Sequence, residues 1–148
     1  MALTLIPHLN FAGQARRALE FYAGVFESSA EIRTYADVGK PADLPGADRV
    51  VWGLVASAHG PSLMAYDIPG AGPGDQAAPV VRRENGLTLT DQPFFLSLAA
   101  RTLEEASVFW TRLADGATVV EPLAPSAFSA GFGMLTDRFG VTWTVTVG

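Results

Sequence analysis

Few side chains in this chain could carry chemistry, and His8 is the strongest candidate. The stretch LTLIPHLNF alternates, so His8 and Asn10 share one face of a predicted strand while Leu9 lies on the other. An imidazole there could act as a general base or as a hydrogen-bonding group for a ligand. The simpler interpretation is a polar wall residue bonded to backbone or water, and the sequence leaves both open.

The closing stretch TDRFGVTWTVTVG offers a row of hydroxyls. Its alternation places Trp143 and the valines on one face of a strand, and Thr142, Thr144 and Thr146 on the other. Such a row suits a half-polar cavity or plain solvent.

Other familiar chemistries find little support. Cysteine is absent, which excludes disulfides, thiolate nucleophiles and Cys-ligated metals. The glycines of GAGPGD are not followed by the Lys-Ser/Thr of a phosphate loop. Glu121 and Asp137 are the only imaginable acid–base pair, but Glu121 has no visible partner and Asp137 is expected to cap a turn. The other histidine, His59, lies in a predicted exposed turn, so the catalytic residues stay unknown beyond His8.

Composition narrows the class of protein. The chain has 148 residues, a net charge of −5 and scattered basic residues, so we expect no nucleic-acid partner. No apolar run approaches the roughly 20 residues of a membrane helix. The N-terminal stretch lacks a basic region before an apolar one, and we therefore expect a cytoplasmic protein without a membrane partner.

One pattern occurs twice along the chain. Helical spacing in ARRALEFYAGVF (15–26) returns in TLEEASVFWTRLA (102–114), where Thr102 and Glu105 fit a capping box. A short strand precedes each helix, at 3–11 and at 93–100. Three strand-like runs follow each helix, at 29–35, 49–57 and 61–67 and at 117–123, 128–136 and 140–148. The chain thus reads βαβββ twice, an α+β fold.

This repeat predicts a single domain (1–148) of two modules, 1–67 and 93–148, joined by a Pro/Gly-rich connecting loop at 68–92. A helix covers one face of each four-stranded sheet, and we expect the other faces to form a shared cleft that binds a ligand. The residues expected to line this cleft are His8, Asn10, Trp52, Met64, Tyr66, Phe95, Thr142 and Thr144. Aromatic rings, a methionine and hydroxyls suit a flat or apolar small molecule, or they simply fill the space.

Three stretches carry a family resemblance: LNFAGQARRALEFYAGVF, GPSLMAYD and TDRFGVTW. Together they resemble the vicinal oxygen chelate superfamily, which includes glyoxalase I, bleomycin-resistance proteins and extradiol dioxygenases. Within it the chain is most similar to the PhnB-like group, also labelled 3-demethylubiquinone methyltransferase-like. The resemblance implies the paired βαβββ fold (the glyoxalase/bleomycin-resistance/dioxygenase fold) and a homodimer.

The resemblance also implies where a metal would bind. Metal-dependent relatives use four ligands, usually His and Glu, from the first and last strands of the two modules. The matching positions here hold Ile6, Met64, Pro93 and Thr144, or Pro7 and Phe94 if the opening strands slip by one residue. None of these side chains is a competent ligand for a divalent ion. We therefore expect no metal and no other cofactor.

The sequence supports three functional hypotheses. The first is a metal-independent protein of the glyoxalase/bleomycin-resistance type that holds an apolar or aromatic compound in the cleft. The second is a glyoxalase- or dioxygenase-like lyase or oxidoreductase with a non-standard site, so enzymatic activity stays uncertain. The third is a homodimeric interaction protein whose cleft is closed by side chains.

Overall fold

A computed structural model of the chain describes residues 2–58 and 60–148, and the predicted turn at His59 lies outside them. The chain divides into two compact units, one ending at Ala77 and the other running from Ala78 to Gly148. Both combine a helix with a mixed sheet, which confirms the α+β class. Among the described residues, no helix is both long and apolar enough to span a bilayer.

The first unit contains one helix and one four-stranded sheet. Its elements are β1 (His8–Phe11), α1 (Ala15–Val25), β2 (Ala30–Thr34), β3 (Val50–Ala56) and β4 (Ser62–Asp67). The strands lie in the order β1-β4-β3-β2, with β1 parallel to β4 and the other pairs antiparallel. A short 3₁₀ helix lies between β2 and β3 at Ala36–Val38, and another follows β4 at Pro73–Asp75.

The second unit repeats this arrangement after an additional hairpin. Its elements are β5 (Val81–Glu84), β6 (Leu87–Thr90), β7 (Leu96–Ala100), α2 (Leu103–Ala114), β8 (Thr118–Ser126), β9 (Ser129–Thr136) and β10 (Thr142–Val147). The main sheet has the order β7-β10-β9-β8, with β7 parallel to β10. The two sheets therefore share one topology, as the sequence repeat predicts.

Helix α1 is fixed to its sheet by close packing. Ala15, Ala18, Leu19 and Tyr22 are completely buried on one helical face. On β3, a Cβ added to Gly53 would lie 2.2 Å from Leu19 Cδ1, so only glycine lets the helix approach the strand this closely. The apolar spacing in the sequence thus identifies the side of the helix that packs on the sheet.

Each helix begins at a specific anchor. At α1 the buried carboxylate of Asp67 accepts the backbone N–H groups of Gly13 and Ala15 through Oδ1, at 2.9 and 3.0 Å. At α2 the Thr102 hydroxyl accepts the N–H of Glu105 at 3.1 Å, and the Glu105 carboxylate accepts the N–H of Arg101 at 3.0 Å. These bonds satisfy N–H groups that a helix start otherwise leaves unpaired, and they confirm most of the capping box.

The segment 68–92 is only partly a loop, which corrects the sequence prediction. Its second half forms the hairpin β5–β6 around Asn85 and Gly86, whose φ angles are 51° and 77°. Two positive φ angles at an Asn-Gly pair are typical of the tight turn that suits strand twist. The many prolines and glycines in the first half of the segment favoured the interpretation of a loop over that of two short strands.

Candidate functional site

The face of the first unit's sheet that α1 does not cover holds most of the predicted binding residues. On β4, Leu63, Ala65 and Asp67 are buried, whereas the residues between them are half-buried. On this second face, which we call the open face of unit 1, lie His8, Asn10, Trp52, Leu54, Met64 and Tyr66. Strand alternation alone produces this separation.

His8 is held in place by two neighbours on the open face. Its Nδ1 lies 2.9 Å from Asn10 Oδ1, and its ring meets that of Tyr66 edge-on, with centroids 5.3 Å apart. Because an amide oxygen only accepts hydrogen bonds, Nδ1 is the protonated nitrogen in the neutral ring, and Nε2 then has the lone pair. The imidazole is thus oriented, although it is exposed to solvent.

Strand register arranges the open face in rows. Glu31, Leu54, Met64 and His8 follow one another across β2, β3, β4 and β1. In the next row Trp52 pairs with Arg33, and Tyr66 pairs with Asn10. Paired residues on neighbouring strands present their side chains to the same face. The apolar and aromatic groups therefore lie on the central strands β3 and β4, with polar groups on the edge strands β1 and β2.

Tyr35 forms the end of this surface beyond β2. Its hydroxyl donates to the backbone carbonyl of Asp67 at 2.6 Å. Burial, followed by the proximity of Tyr66 and of the Asp67 carboxylate, raises the pKa of Tyr35 above the 10.0 of a free tyrosine. The phenol is therefore a neutral donor at physiological pH.

The corresponding face of the second unit carries the hydroxyl row. Thr144 Oγ1 lies 2.6 Å from Ser97 Oγ on the parallel strand, and Thr142 Oγ1 lies 2.8 Å from Thr136 Oγ1. Thr142 is buried, so of the two predicted threonines only Thr144 is partly open to solvent. Phe95 precedes β7 and is half-buried.

Asp137 and Trp143 hold the closing motif TDRFGVTW together. The buried carboxylate of Asp137 accepts the backbone N–H groups of Phe139 and Val141, at 2.8 and 3.1 Å, as expected for a turn cap. Its other oxygen accepts the indole N–H of Trp143 at 2.9 Å. Asp137 therefore has a structural position, which removes it from the acid–base pair considered with Glu121.

The hairpin adds one residue that the sequence analysis missed. The guanidinium of Arg83 lies 4.9 Å from the ring centroid of Phe132 on β9, and its Nη1 donates to Thr88 at 2.9 Å. A signal was present in the sequence, because an Asn-Gly turn fixes the hairpin and so the face on which Arg83 lies.

Comparison with solved structures identifies the fold. Protein PA1353 from Pseudomonas aeruginosa is 28% identical with a TM-score of 0.74, over 99% of this chain and 98% of that one. The PhnB protein from Bacillus cereus is 25% identical with a TM-score of 0.70, over 99% and 100% of the two chains. This chain has the fold of the vicinal oxygen chelate superfamily, to which these neighbours belong.

More distant members share the fold as well. A glyoxylase/bleomycin resistance protein/dioxygenase domain from Frankia is 16% identical with a TM-score of 0.59, over 100% of this chain and 98% of that one. No protein-family model matches the sequence, and no curated protein matches it. The relationship is therefore carried by the three-dimensional structure.

The residues present do not fit the metal that the vicinal oxygen chelate fold implies. Register places His8 beside Met64 in the first unit and Ser97 beside Thr144 in the second. Of these side chains only the imidazole is a usual ligand, and its Nδ1 bonds to Asn10. Within residues 2–58 and 60–148, no three His, Asp or Glu side chains cluster as a metal site would require.

Four of the positions that the resemblance implies for metal ligands lie just before the opening strands. Ile6 and Pro7 precede β1, and Pro93 and Phe94 precede β7, so none of the four lies opposite Met64 or Thr144 in the described strand ladders. The opening strands of both units begin later than the apolar pattern predicts, at His8 and at Leu96. The residues paired with Met64 and Thr144 are His8 and Ser97.

Proposed function

We propose that this protein binds a small apolar or aromatic molecule on the open face of unit 1, without a metal ion and without turnover. The observation that carries the proposal is the surface formed by Trp52, Met64 and Tyr66 around His8. These three apolar side chains are half-buried, neither packed under the helix nor fully exposed. Such a surface offers contact area to a flat ligand, and little side-chain conformational entropy is lost on binding because the rings are already held in place.

Recognition would combine stacking with a few directional bonds. Trp52 and Tyr66 present rings, and Met64 in the adjacent row supplies a polarizable side chain that adapts to an irregular shape. The Nε2 atom of His8 accepts a hydrogen bond, so a ligand with one donor group would be oriented. Small-molecule sites are usually lined by apolar side chains, with a few polar groups that orient the ligand.

Metal independence is supported by the donor set. A divalent ion in this fold would need carboxylate or imidazole ligands at Met64 and Thr144, where a thioether and a hydroxyl stand. Neither group matches the affinity of His or Glu for such an ion. Binding would therefore depend on the protein's own groups.

A second candidate is catalysis by His8 as a general base. The bond to Asn10 favours it, because a fixed tautomer leaves Nε2 ready to take a proton from a substrate on the open face. An Asn10→Ala variant would lose this orientation. Loss of turnover in that variant, with ligand affinity retained, would support the enzymatic alternative over simple binding.

A thermal-shift screen of aromatic compounds against metal-free protein tests the proposal. A compound that binds only the native state raises the melting temperature in proportion to occupancy. The Trp52→Ala variant should lose the shift, and Tyr66→Ala should reduce it. Trp110→Ala is the matched control, because Trp110 lies on α2 in the second unit and should leave the shift intact. Equal loss in both tryptophan variants, or full retention in Trp52→Ala, would contradict binding on the open face.

A further inference from the structure

Arg83 occupies an unusual position for an arginine. It lies on the half-buried side of the β5–β6 hairpin and stacks on Phe132, while Thr88 accepts from its Nη1. Its Nε is buried and finds no acceptor within the described part of the chain. A buried donor without a partner is costly, so such an arrangement calls for a further acceptor.

The neighbouring arginine shows the contrast. Arg82 points to the opposite side of the hairpin, is exposed and pairs with Glu84 at 3.2 Å. Arg83 makes no ion pair with a described residue. The two arginines share a strand and a local sequence, but only Arg83 is turned toward the sheet with its charge uncompensated.

Hydroxyl groups lie on the same face of the second sheet as Phe132, the residue that Arg83 contacts. Phe132 on β9 is paired with Thr146 on β10, so the Thr146 side chain shares its face. One row further lie Met134, Thr144 and Ser97, whose two hydroxyls are bonded to each other. Glu121 is the acidic group in that row, where it pairs with Met134, one row away from Phe132.

From this juxtaposition we propose that Arg83, Phe132 and Thr146 form a binding site for the oxyanion of a small molecule, a carboxylate or a phosphate group. The planar guanidinium can donate two parallel bonds to such a group. Phe132 fixes the guanidinium plane by stacking. The Thr146 hydroxyl donates to the Leu98 carbonyl over a long 3.4 Å, so it can turn from that bond to donate to a bound oxyanion. This inference goes beyond the proposed function, because it concerns the second unit alone and a charged ligand group.

The hairpin explains how the site is positioned. β5 lies beside β8, at the edge of the second sheet, and Arg83 reaches across to the next strand, where Phe132 lies. The Asn85-Gly86 turn sets the hairpin register, in which Arg83 is paired with Thr88. A one-residue slip would turn Arg83 to the solvent side and bring Arg82 inward.

Arginine side-chain NMR of the full chain tests the site directly. The Nε–H signal of Arg83, assigned by its loss in Arg83→Lys, is followed during titration with benzoate, inorganic phosphate and neutral benzamide at constant ionic strength. We expect a saturable shift with benzoate or phosphate and none with benzamide. Arg82, assigned through Arg82→Lys, is the matched control and should show no saturable shift.

Variants then measure what each group contributes. Arg83→Met keeps an apolar chain on Phe132 without the charge and should weaken oxyanion binding at least about tenfold, read at the Thr146 amide. Arg82→Met should bind as the wild type does. Saturation by benzoate alone would identify a carboxylate site, and saturation by phosphate alone a phosphate site.

Two results would overturn the proposal. One is an absence of saturation by either anion up to about 50 mM, far above the dissociation constants of weak sites. The other is equal affinity in Arg83→Met and wild type. Both are distinguishable from failure of the proposed function, which is read separately from Trp52 and aromatic compounds.

Discussion

Ser97 Oγ and Thr144 Oγ1 lie 2.6 Å apart, joined by a hydrogen bond across the parallel strands β7 and β10. In the first unit, His8 and Met64 hold the equivalent positions on β1 and β4. Thr144, a position at which the resemblance implies a metal ligand, therefore has a hydroxyl that is hydrogen-bonded to the hydroxyl of Ser97. This hydrogen bond between two hydroxyls supports the proposal that the protein binds its ligand without a metal ion.

Metal binding is the first property to measure. Purified protein titrated with nickel, zinc and manganese should show no stoichiometric site with micromolar affinity, because thioether and hydroxyl groups are weak ligands for these ions. Prolonged treatment with EDTA should leave the melting temperature unchanged. A drop in melting temperature that one of these ions restores, and that His8→Ala abolishes, would contradict this expectation.

Gly53→Ala should destabilise the first unit by about 1–3 kcal/mol, because the new methyl group would collide with Leu19 under α1. Gly24→Ala is the matched control, since nothing lies within 4 Å of a Cβ at that helical position. It should stabilise the protein by about 0.5–1 kcal/mol. Urea unfolding of both variants measures the difference, and equal effects would refute the packing described for β3.

Asp137→Ala should cost about 3 kcal/mol or more, since it leaves two backbone N–H groups and the buried indole N–H of Trp143 without this acceptor. Asp115→Ala also removes a carboxylate, but one that is exposed and paired with Arg138. Its cost should stay below about 1 kcal/mol. Similar unfolding free energies for the two variants would show that the turn does not depend on Asp137.

The phenol of Tyr35 predicts an alkaline limit to stability. Its pKa is raised in the folded protein by burial and by nearby Tyr66 and Asp67, so the folded state binds the proton more tightly than the unfolded state. The stability that this provides is complete below the unfolded pKa of about 10 and is lost as pH rises through the folded pKa. Tyr35→Phe should unfold with a weaker pH dependence above pH 10. Parallel curves for wild type and variant would exclude this contribution.

Sequence patterns predicted the architecture well, because helix and strand periodicity is local. The helices 15–26 and 102–114 appear as Ala15–Val25 and Leu103–Ala114, and the repeat predicted identical strand orders. The face of the sheet on which each strand residue lies was also predictable. His8 and Asn10 lie on one face of β1, and Leu9 lies on the other.

The sequence predictions that were wrong or incomplete concern features that depend on contacts between residues distant in sequence. The strand predicted at 3–11 begins only at His8, because parallel pairing with β4 sets where the ladder starts and no local signal marks that point. The β5–β6 hairpin had its Asn-Gly signal but was masked by surrounding prolines and glycines. The stacking of Arg83 on Phe132 needed that hairpin and could not be foreseen without it.

Fluorescence titration of EDTA-treated protein with an aromatic compound selected by thermal shift tests the central claim most directly. Trp52 lies half-buried on the open face, whereas Trp143 is buried and bonded to Asp137. We predict saturable quenching that persists in EDTA, disappears in Trp52→Phe and remains in Trp110→Phe. Quenching that requires added metal, or that survives in Trp52→Phe, would contradict metal-independent binding on the open face of unit 1.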